Sequence, residues 1–489
     1  MTRRLELAVL ALIVAAYAVS LGRTASYGYV WDDRPEIESN ASFDLPLLEG
    51  IKLTQTERAA PTLADLPELQ FNYDSYRPLL FASYWADVHL WGRDAGALHR
   101  TNVVLGALAI LMAYLLARRW LRSPVALVAT AVFALHPVQI EAVAYISGRG
   151  DLLAALFALA AAYGALRFID GGHRAWAAAA ALAFVCSIAS QESLIALPFA
   201  IPFLRTEGRS RWIVAAILLA LAVVYLPVRG AIVATTTRPP YVAGALGLPG
   251  VLLEYAKIFV LPFDLSIERQ PHALYAWLGL IVLPLLVLGR KHPGVIWAAV
   301  LLAPSAIAVR SAGIVADRYA YAPLFGLAIA VSAIPWKKPV IAAVAVWGAL
   351  LVVVGWRQVP VWRDVTTLYG HALDMAPDSA SANYRVAVLL GEPDGVPLLE
   401  RAIELDGSYA PALNNLGVHH LQMGEPARAV ELLQRAVAAQ PAHFRSWLNL
   451  GLAQIATGDR DAGCKSIARA LAINPRYDAA RREQQQRCR

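Results

Sequence analysis

Two adjacent carboxylates are the first residues in this chain whose type and spacing could do chemistry. Asp32 and Asp33 lie in the polar stretch 23–77, shortly after an apolar segment. A carboxylate pair can bind a divalent cation, or one member can act as a general base toward a hydroxyl group. Solvated loops often carry such pairs, so the pair alone is weak evidence. Tyr76 and Arg77 lie at the other end of the same stretch.

A denser polar cluster follows, between two later apolar segments. Its ionisable residues are His136, Glu141, Arg149 and Asp151. Two further short links add Glu192 and the pair Asp317 and Arg318. Ionisable groups at membrane depth are costly and by default mark a functional site. A structural ion pair between Glu141 and Arg149 is the alternative interpretation.

The elements that must position these residues are apolar segments. The chain is 58% hydrophobic and 16% charged, against about 25% charged in ordinary soluble domains, which excludes a plain soluble enzyme. Eleven apolar segments lie at 5–22, 97–118, 123–135, 150–169, 174–189, 192–205, 211–228, 275–289, 294–309, 320–335 and 339–355. The sequence therefore predicts an all-α, polytopic transmembrane bundle of about eleven spans over 1–356, although several segments are shorter than a bilayer requires.

Arginine and lysine placement predicts the orientation of these spans. Basic residues follow the N-terminus and then every second link, as expected for the cytoplasmic side. The N-terminus is then cytoplasmic, 23–77 is the first extracytoplasmic loop, and all the polar clusters lie outside. This holds only if the interrupted segment 247–262 is re-entrant or lies along the interface. The net charge of +7 is thereby explained by topology, and no nucleic-acid partner is expected.

The first segment has a second interpretation. Arg3 and Arg4, the apolar run that follows and Ala16-Tyr17-Ala18 also fit a cleavable signal peptide. We favour retention, because a polytopic bundle needs its first helix for packing and the polar loop follows it directly.

The tail, 357–489, repeats with a period of 34 residues. Asn415-Leu416-Gly417 matches Asn449-Leu450-Gly451, and Pro441 matches Pro475. This period and pattern resemble tetratricopeptide (TPR) repeats. A degenerate repeat at 369–407 and a polar capping helix at 477–489 complete a predicted α-solenoid of about three repeats, whose groove can dock a peptide or protein. Gly463 stands where alanine is usual and should loosen its helix.

The cysteines point to no further chemistry. Cys186, Cys464 and Cys488 are too few and too scattered for a disulfide framework or a thiolate metal site. No redox function is expected.

The combined motifs resemble a known family. They are Asp32-Asp33, Ser75-Tyr76-Arg77-Pro78-Leu79, the segment His136 to Asp151, Gln191-Glu192, Asp317-Arg318-Tyr319 and the TPR tail. This combination is similar to the transmembrane-and-TPR protein O-mannosyltransferases, which belong to the GT-C class of polytopic glycosyltransferases. The chain departs from their pattern at Gln191, where lysine is usual, at Asp317, where glutamate is usual, and in its short TPR array.

The resemblance implies transfer of a sugar, mannose in well-described members, from a polyprenyl- or dolichyl-phosphate carrier to a serine or threonine hydroxyl of a protein. In this scheme Asp32 is the general base, with Asp33 second, and the reaction inverts configuration in one displacement. Arg149, Arg77 and Arg318, in that order, bind the donor phosphate. Supporting or sugar-binding roles fall to His136, Glu141, Asp151, Glu192, Asp317 and Tyr76. No cofactor is required, although a divalent cation is compatible with the site.

Three other functions remain open at this stage. A non-catalytic TPR scaffold for envelope assembly would leave the polar clusters without a role. A transporter would place its charges near the middle of several spans rather than at their ends. A GT-C enzyme with a glycan or lipid acceptor differs only in what the tail binds. Short loops favour a bacterial inner membrane, with the tail in the periplasm, over the endoplasmic reticulum.

Overall fold

The computed structural model describes residues 1–53, 76–204, 208–232, 248–267, 269, 292–312, 316–331, 334, 337–474 and 477–488. Every regular element in this part of the chain is a helix. The described residues form two compact units, the first within 1–368 and the second within 369–488. Each unit is described by itself below.

The described part of the first unit contains thirteen labelled helices. They are Arg3–Leu21 (α1), Pro78–Trp91 (α2), Ala95–Ala117 (α3), Ser123–Leu135 (α4), Gln139–Ala144 (α5), Arg149–Ile169 (α6), Ala175–Ser190 (α7), Leu197–Leu204 (α8), Ser210–Ile232 (α9), Leu248–Val260 (α10), Pro293–Ala312 (α11), Tyr321–Ala330 (α12) and Lys338–Gln358 (α13). Single turns of 3-10 helix occur at Gly22–Ser26, Ala41–Asp44, Ile146–Gly148, Glu192–Leu194, Asp317–Ala320 and Val359–Trp362. A π-helical turn spans Arg34–Glu38, and one α-helical turn spans Leu47–Gly50.

The predicted apolar segments coincide with these helices, except for 275–289, which lies outside the described residues. Five helical stretches are long and apolar enough to cross a membrane: Arg3–Ser26, Ala95–Ala117, Ile146–Ile169, Ser210–Ile232 and Lys338–Trp362. Shorter apolar helices lie at Ser123–Leu135, Ala175–Ser190, Glu192–Leu204 and Pro293–Pro304. These lengths identify a multi-pass membrane protein, and the total of eleven spans stays a prediction.

Contacts between helix ends show which ends of the long helices lie together. Glu6 at the start of α1 pairs with Arg118 at the end of α3 at 3.0 Å. Arg119 also pairs with Asp170, which follows α6. At the opposite end, Arg23 lies over the ring of Trp356, near the end of α13, at 4.2 Å. The bundle therefore has one end rich in the arginines that sequence analysis assigned to the cytoplasm, and one end where the polar clusters lie.

Helix α2 was not predicted. Its apolar run is interrupted by Asp87 and His89, so hydropathy gave no continuous segment there. It forms because Leu80, Phe81 and Tyr84 pack into a small core with residues of the first loop and of α3 and α6.

The chain around α10 descends into the bundle and returns. The hydroxyl of Tyr255 donates to the carbonyl of Ala316 at 3.1 Å, while the carbonyl of Val260 accepts from the indole of Trp347 at 2.8 Å. The carbonyl of Leu265 then accepts from Gln358 at 3.0 Å. Trp347 and Gln358 are eleven residues apart on α13, which corresponds to about 16 Å along the helix axis. This course supports the expectation that 247–262 does not cross the bundle.

The second unit begins within α14 and is built from paired helices. They are Val365–Met375 (α14), Ala380–Leu390 (α15), Val396–Leu405 (α16), Ala410–Gln422 (α17), Pro426–Ala439 (α18), Phe444–Ala456 (α19), Arg460–Ile473 (α20) and Asp478–Arg487 (α21). The helices α17 to α20 form two TPR pairs, α15 and α16 form the degenerate pair before them, and α21 is the capping helix. Small and aliphatic residues fill the interfaces, as the 34-residue period predicts.

Two expectations about this tail need correction. A Cβ added at Gly463 would lie 2.5 Å from Cγ1 of Ile455 and 2.7 Å from the carbonyl oxygen of Gly451. This glycine therefore permits a close crossing of α19 and α20 rather than only loosening a helix. Cys464 and Cys488 form a disulfide with their Cα atoms 5.6 Å apart, because the antiparallel return of α21 along α20 brings them together. The spacing of the cysteines in the sequence did not predict this disulfide.

Candidate active site at one end of the bundle

The polar clusters of the sequence meet where several helices of the first unit begin or end. Four segments contribute side chains to this end of the bundle: the turn after α1, the link containing α5, the 3-10 turn after α7 and the turn before α12. Helices α9 and α10 also end nearby, and the sequence did not predict that they contribute to the site. Long helices that run in opposite directions, such as α1 and α3, bring segments far apart in sequence to one end.

Asp33 ties the first of these turns to the link before α6. Its Oδ1 accepts hydrogen bonds at 2.7 Å from both the backbone N–H and the hydroxyl of Ser147. Its Oδ2 accepts from the backbone N–H of Val30 at 3.1 Å. The side chain is fully buried, and this burial raises the pKa of Asp33 to about 7. Asp33 therefore connects two loops through buried hydrogen bonds.

Asp32 differs from its neighbour because it is only partly buried. Its Oδ2 accepts a hydrogen bond from the hydroxyl of Tyr145 at 3.1 Å. Burial raises the pKa of Tyr145 well above its usual range, so this hydroxyl stays protonated and donates. Of the two predicted carboxylates, Asp32 is therefore the one that a bound molecule can reach.

Aromatic side chains fix the position of Asp32. Trp31 has a φ of 51°, which is uncommon for a bulky residue and costs about 1–2 kcal/mol. Its indole stacks on the ring of Tyr145 with the centroids 5.6 Å apart. Trp362 lies against the same tyrosine ring, also at 5.6 Å. The stack holds Trp31, and therefore the adjacent Asp32, in a backbone conformation that it would otherwise leave.

Arg318 is the centre of an ion-pair network beside this stack. Its guanidinium pairs with Glu141, and its backbone N–H donates to the same carboxylate at 3.0 Å. Asp151 lies 3.8 Å away on the other side. The guanidinium also lies 5.7 Å from the centroid of the Trp31 ring. The predicted residues Arg318, Glu141 and Asp151 are thus brought together.

Asp317 lies next to this network with a partner that sequence reasoning missed. Arg269, in the chain after α10, contacts its Oδ1 at 2.5 Å. Both side chains are buried, and burial raises the pKa of Asp317. The pair joins the returning chain after α10 to the turn before α12.

A second arginine cluster surrounds Glu192. Its carboxylate lies 3.4 Å from Nε of Arg77 and 2.6 Å from Nε of Arg229. The backbone carbonyl of Tyr76 accepts from the hydroxyl of Tyr225 at 3.2 Å. A Cβ added at Gly150, next to Asp151, would lie 3.9 Å from Cβ of Gln191, next to Glu192. This cluster and the Arg318 network are therefore neighbours.

Arg149, ranked first among the predicted phosphate ligands, is fully enclosed. It pairs with Asp87 at 2.7 Å and donates to the side chain of Asn102, also at 2.7 Å. Further bonds go to the backbone carbonyls of Ser83 and Leu98. Arg149 therefore joins α6 to α2 and α3. It does not pair with Glu141, so the alternative of an ion pair between these two residues is wrong.

His136 is also enclosed. Its Nε2 donates to the carbonyl of Phe259 at 3.1 Å, because its Nδ1 accepts from the backbone N–H of Val138 at 3.2 Å. Burial lowers the pKa of His136 to about 4, so the ring is neutral. It connects the end of α4 to the end of α10. Among the described residues, no group of three or more His, Cys, Asp and Glu side chains is placed to hold a metal ion.

The residues that sequence reasoning missed had one available signal. Arg229 lies in the last turn of an apolar helix, at the end opposite the arginines that were predicted to be cytoplasmic. Basic residues are under-represented at that end, so a lone arginine there is informative. Trp31 and Tyr145 lie beside predicted residues, but nothing in their local sequence indicates that they stack.

The bundle, the charged site at one end and the paired helices of the tail define a multi-pass membrane protein with a TPR domain. The tetratricopeptide repeat model matches residues 410–443 and 444–477, which confirms the predicted repeats and their 34-residue period.

Comparison with curated proteins confirms the resemblance that the motifs predicted. The chain is 26% identical over 384 residues to protein O-mannosyl-transferase F38B6.6 of Caenorhabditis elegans, covering 69% of this chain and 55% of that protein. It is 36% identical over 103 residues to protein O-mannosyl-transferase TMTC1 of Mus musculus, covering 21% of this chain and 11% of that protein. The chain thus spans about half the length of the first of these relatives and much less of the second. Among solved structures, ArnT from Cupriavidus metallidurans bound to undecaprenyl phosphate aligns with 96% of this chain and 80% of its own, at 14% identity and a TM-score of 0.45.

Proposed function

We propose that this chain is a membrane glycosyltransferase that moves a sugar, mannose by resemblance, from a polyprenyl- or dolichyl-phosphate carrier to a serine or threonine hydroxyl of a protein. The observation that carries the proposal is the partly exposed Asp32, fixed by Tyr145 beside the Arg318 network. Similarity to relatives named protein O-mannosyl-transferases supports it.

The proposed reaction is a single displacement that inverts the anomeric carbon. The acceptor oxygen forms a bond to that carbon while the bond from the carbon to the phosphate oxygen breaks. The hydroxyl proton passes to Asp32, and the bonding electrons leave with the polyprenyl phosphate, which becomes a monoester dianion. General-base assistance of this kind is worth about 10²- to 10⁴-fold in rate.

The remaining site residues take roles that follow from their contacts. Arg77 and Arg318 are placed to stabilise the leaving phosphate, since arginine matches phosphate oxygens in charge and geometry. Asp33 and Arg149 position loops and helices from inside the protein. Glu141 and Asp151 hold the guanidinium of Arg318 in place through their ion pairs with it. No step requires a metal ion or another cofactor.

The tail docks the acceptor in this proposal and lies on the extracytoplasmic side. Disulfides persist in oxidising compartments such as the bacterial periplasm and the lumen of the endoplasmic reticulum. The bond between Cys464 and Cys488 therefore supports a tail outside the cytoplasm. Short loops favour the bacterial inner membrane, with a cytoplasmic N-terminus.

The test is sugar transfer by the purified full-length protein in nanodiscs, from radiolabelled polyprenyl-phosphate mannose to serine- and threonine-containing proteins. We expect Asp32→Asn to reduce the rate by at least 100-fold. Glu38→Gln is the matched control, because Glu38 lies on the same loop and is exposed. Transfer by Asp32→Asn at the wild-type rate would refute the base assignment. Absence of transfer by the wild-type protein to every acceptor, with the tail still binding envelope proteins, would favour the scaffold instead.

A further inference from the structure

Three charged side chains from distant parts of the chain meet at the end of α9. Arg77 precedes α2, Glu192 follows α7, and Arg229 lies in the last turn of α9. One carboxylate contacts the Nε of both arginines, at 3.4 Å for Arg77 and 2.6 Å for Arg229. A guanidinium has five N–H donors, so the Nε contact of Arg229 uses only part of the capacity of that group. The exposed fractions of the two arginine side chains are 18% and 28%.

Helix α9 presents two different faces next to this cluster. Tyr225 and Arg229, one turn apart, contact the carbonyl of Tyr76 and the carboxylate of Glu192. Val224 and Val228, also one turn apart, are 64% and 52% exposed. Only 22% of the most apolar window of this helix is buried in the protein. An apolar face exposed to lipid therefore leads directly to a partly exposed pair of arginines.

This combination fits an amphiphile with one anionic head. We propose that Arg77 and Arg229 form a clamp for the phosphate of the lipid-linked donor, while its isoprenoid tail lies along Val224 and Val228 of α9. The proposal rests on the function proposed above and assigns Arg229 to the donor site.

Glu192 and Tyr225 are positioning residues in this arrangement. Glu192 separates the two guanidinium groups and prevents their mutual repulsion when no phosphate is bound. Tyr225 holds the backbone that carries Arg77. The cluster also lies beside the Arg318 network: a Cβ added at Gly150 would be 3.9 Å from Cβ of Gln191, and the neighbouring Asp151 lies 3.8 Å from Arg318.

The clamp is tested by binding of undecaprenyl phosphate to the full-length protein in nanodiscs, measured by native mass spectrometry. We expect Arg229→Gln to weaken binding by about 10- to 100-fold, as for a lost charge-assisted hydrogen bond, and Arg229→Lys to weaken it less. Binding of undecaprenol, which lacks the phosphate, should be the same in all variants. The matched control is Arg23→Gln, because Arg23 lies at the same end of the bundle and outside the cluster. If Arg229→Gln does not fold, the lysine variant carries the test.

Two outcomes overturn the clamp. One is wild-type affinity for undecaprenyl phosphate in the Arg229 variants, and the other is competition by inorganic phosphate at the concentration at which the lipid binds. Failure of the proposed function looks different: binding of undecaprenyl phosphate depends on Arg229, but the wild-type protein transfers no sugar. Normal transfer by both wild type and Arg229→Gln would remove the clamp and leave the proposed function standing.

Discussion

Loss of the disulfide between Cys464 and Cys488 should weaken the end of the TPR tail by an amount that its sequence separation sets. The bond closes a loop with a sequence separation of 24 residues. In the chain-entropy account, such a cross-link stabilises the folded unit by about 3.4 kcal/mol, equivalent to roughly 300-fold in the folding equilibrium. The bond links α20 to the capping helix α21, where Ala480 packs against Leu448 and Ile467.

Hydrogen exchange on the full-length protein measures this effect helix by helix. Amides of α20 and α21 should lose up to about 300-fold in protection when dithiothreitol is added, or in the Cys488→Ser variant. The effect should decline toward α15, because each repeat contacts only its neighbours. Cys186→Ser is the control, since Cys186 is a free thiol in the first unit.

Unchanged protection in α20 and α21 after reduction would refute the stabilising role. Thiol labelling gives the second check. If both cysteines react with maleimide in membranes that have never been reduced, the disulfide does not form, and the argument for an oxidising compartment fails.

Three other changes test the packing. Burial raises the pKa of Asp33 to about 7, so the folded protein binds the carboxyl proton of Asp33 more tightly than the unfolded chain does. Ionisation of Asp33 therefore lowers the stability of the folded protein as the pH rises from about 4 to about 7. Asp33→Asn should remove that fall, and melting temperatures at pH 5 and 7.5 should show it; an identical pH dependence in the variant would contradict the burial argument. Glu141→Gln should destabilise the first unit by about 3 kcal/mol, because it removes one partner of Arg318. Thermal unfolding of Glu141→Gln, Arg318→Gln and the double variant measures the coupling energy between the two residues. Additive losses of stability would mean that the pair contributes nothing. Gly463→Ala should destabilise the tail by about 1–3 kcal/mol, although alanine has the better helix propensity, because the new methyl group overlaps Ile455. Greater protection of the tail in hydrogen exchange would show instead that α19 and α20 can move apart.

Hydropathy and period predicted the helices well because both are local signals. The apolar segments and the 34-residue repeat each leave a pattern within one or two helices. Helix α2 escaped because Asp87 interrupts its apolar run, and the cation that balances Asp87 comes from Arg149 on a different helix. Such compensation between helices leaves no trace in a local window.

The candidate site was predicted as a set of residues but not as a set of contacts. Glu141 lies eight positions from Arg149 in sequence, yet it pairs with Arg318, which is 177 positions away. Proximity in sequence therefore suggested the wrong partner. Burial was not predictable from the motifs either: Arg149 is fully enclosed and Arg77 is partly exposed, although both are arginines in similar polar motifs.

The returning chain after α10 has a consequence for the order of assembly. Its carbonyl groups at Val260 and Leu265 accept hydrogen bonds from Trp347 and Gln358, on a helix made some ninety residues later. Before α13 exists, those carbonyls have no such donors, and unpaired backbone groups are costly in hydrocarbon. The returning chain after α10 therefore reaches its final position only after α13 has entered the membrane. Arg269, which pairs with Asp317 at the site, lies in this returning chain, so the site is completed among the last steps of insertion.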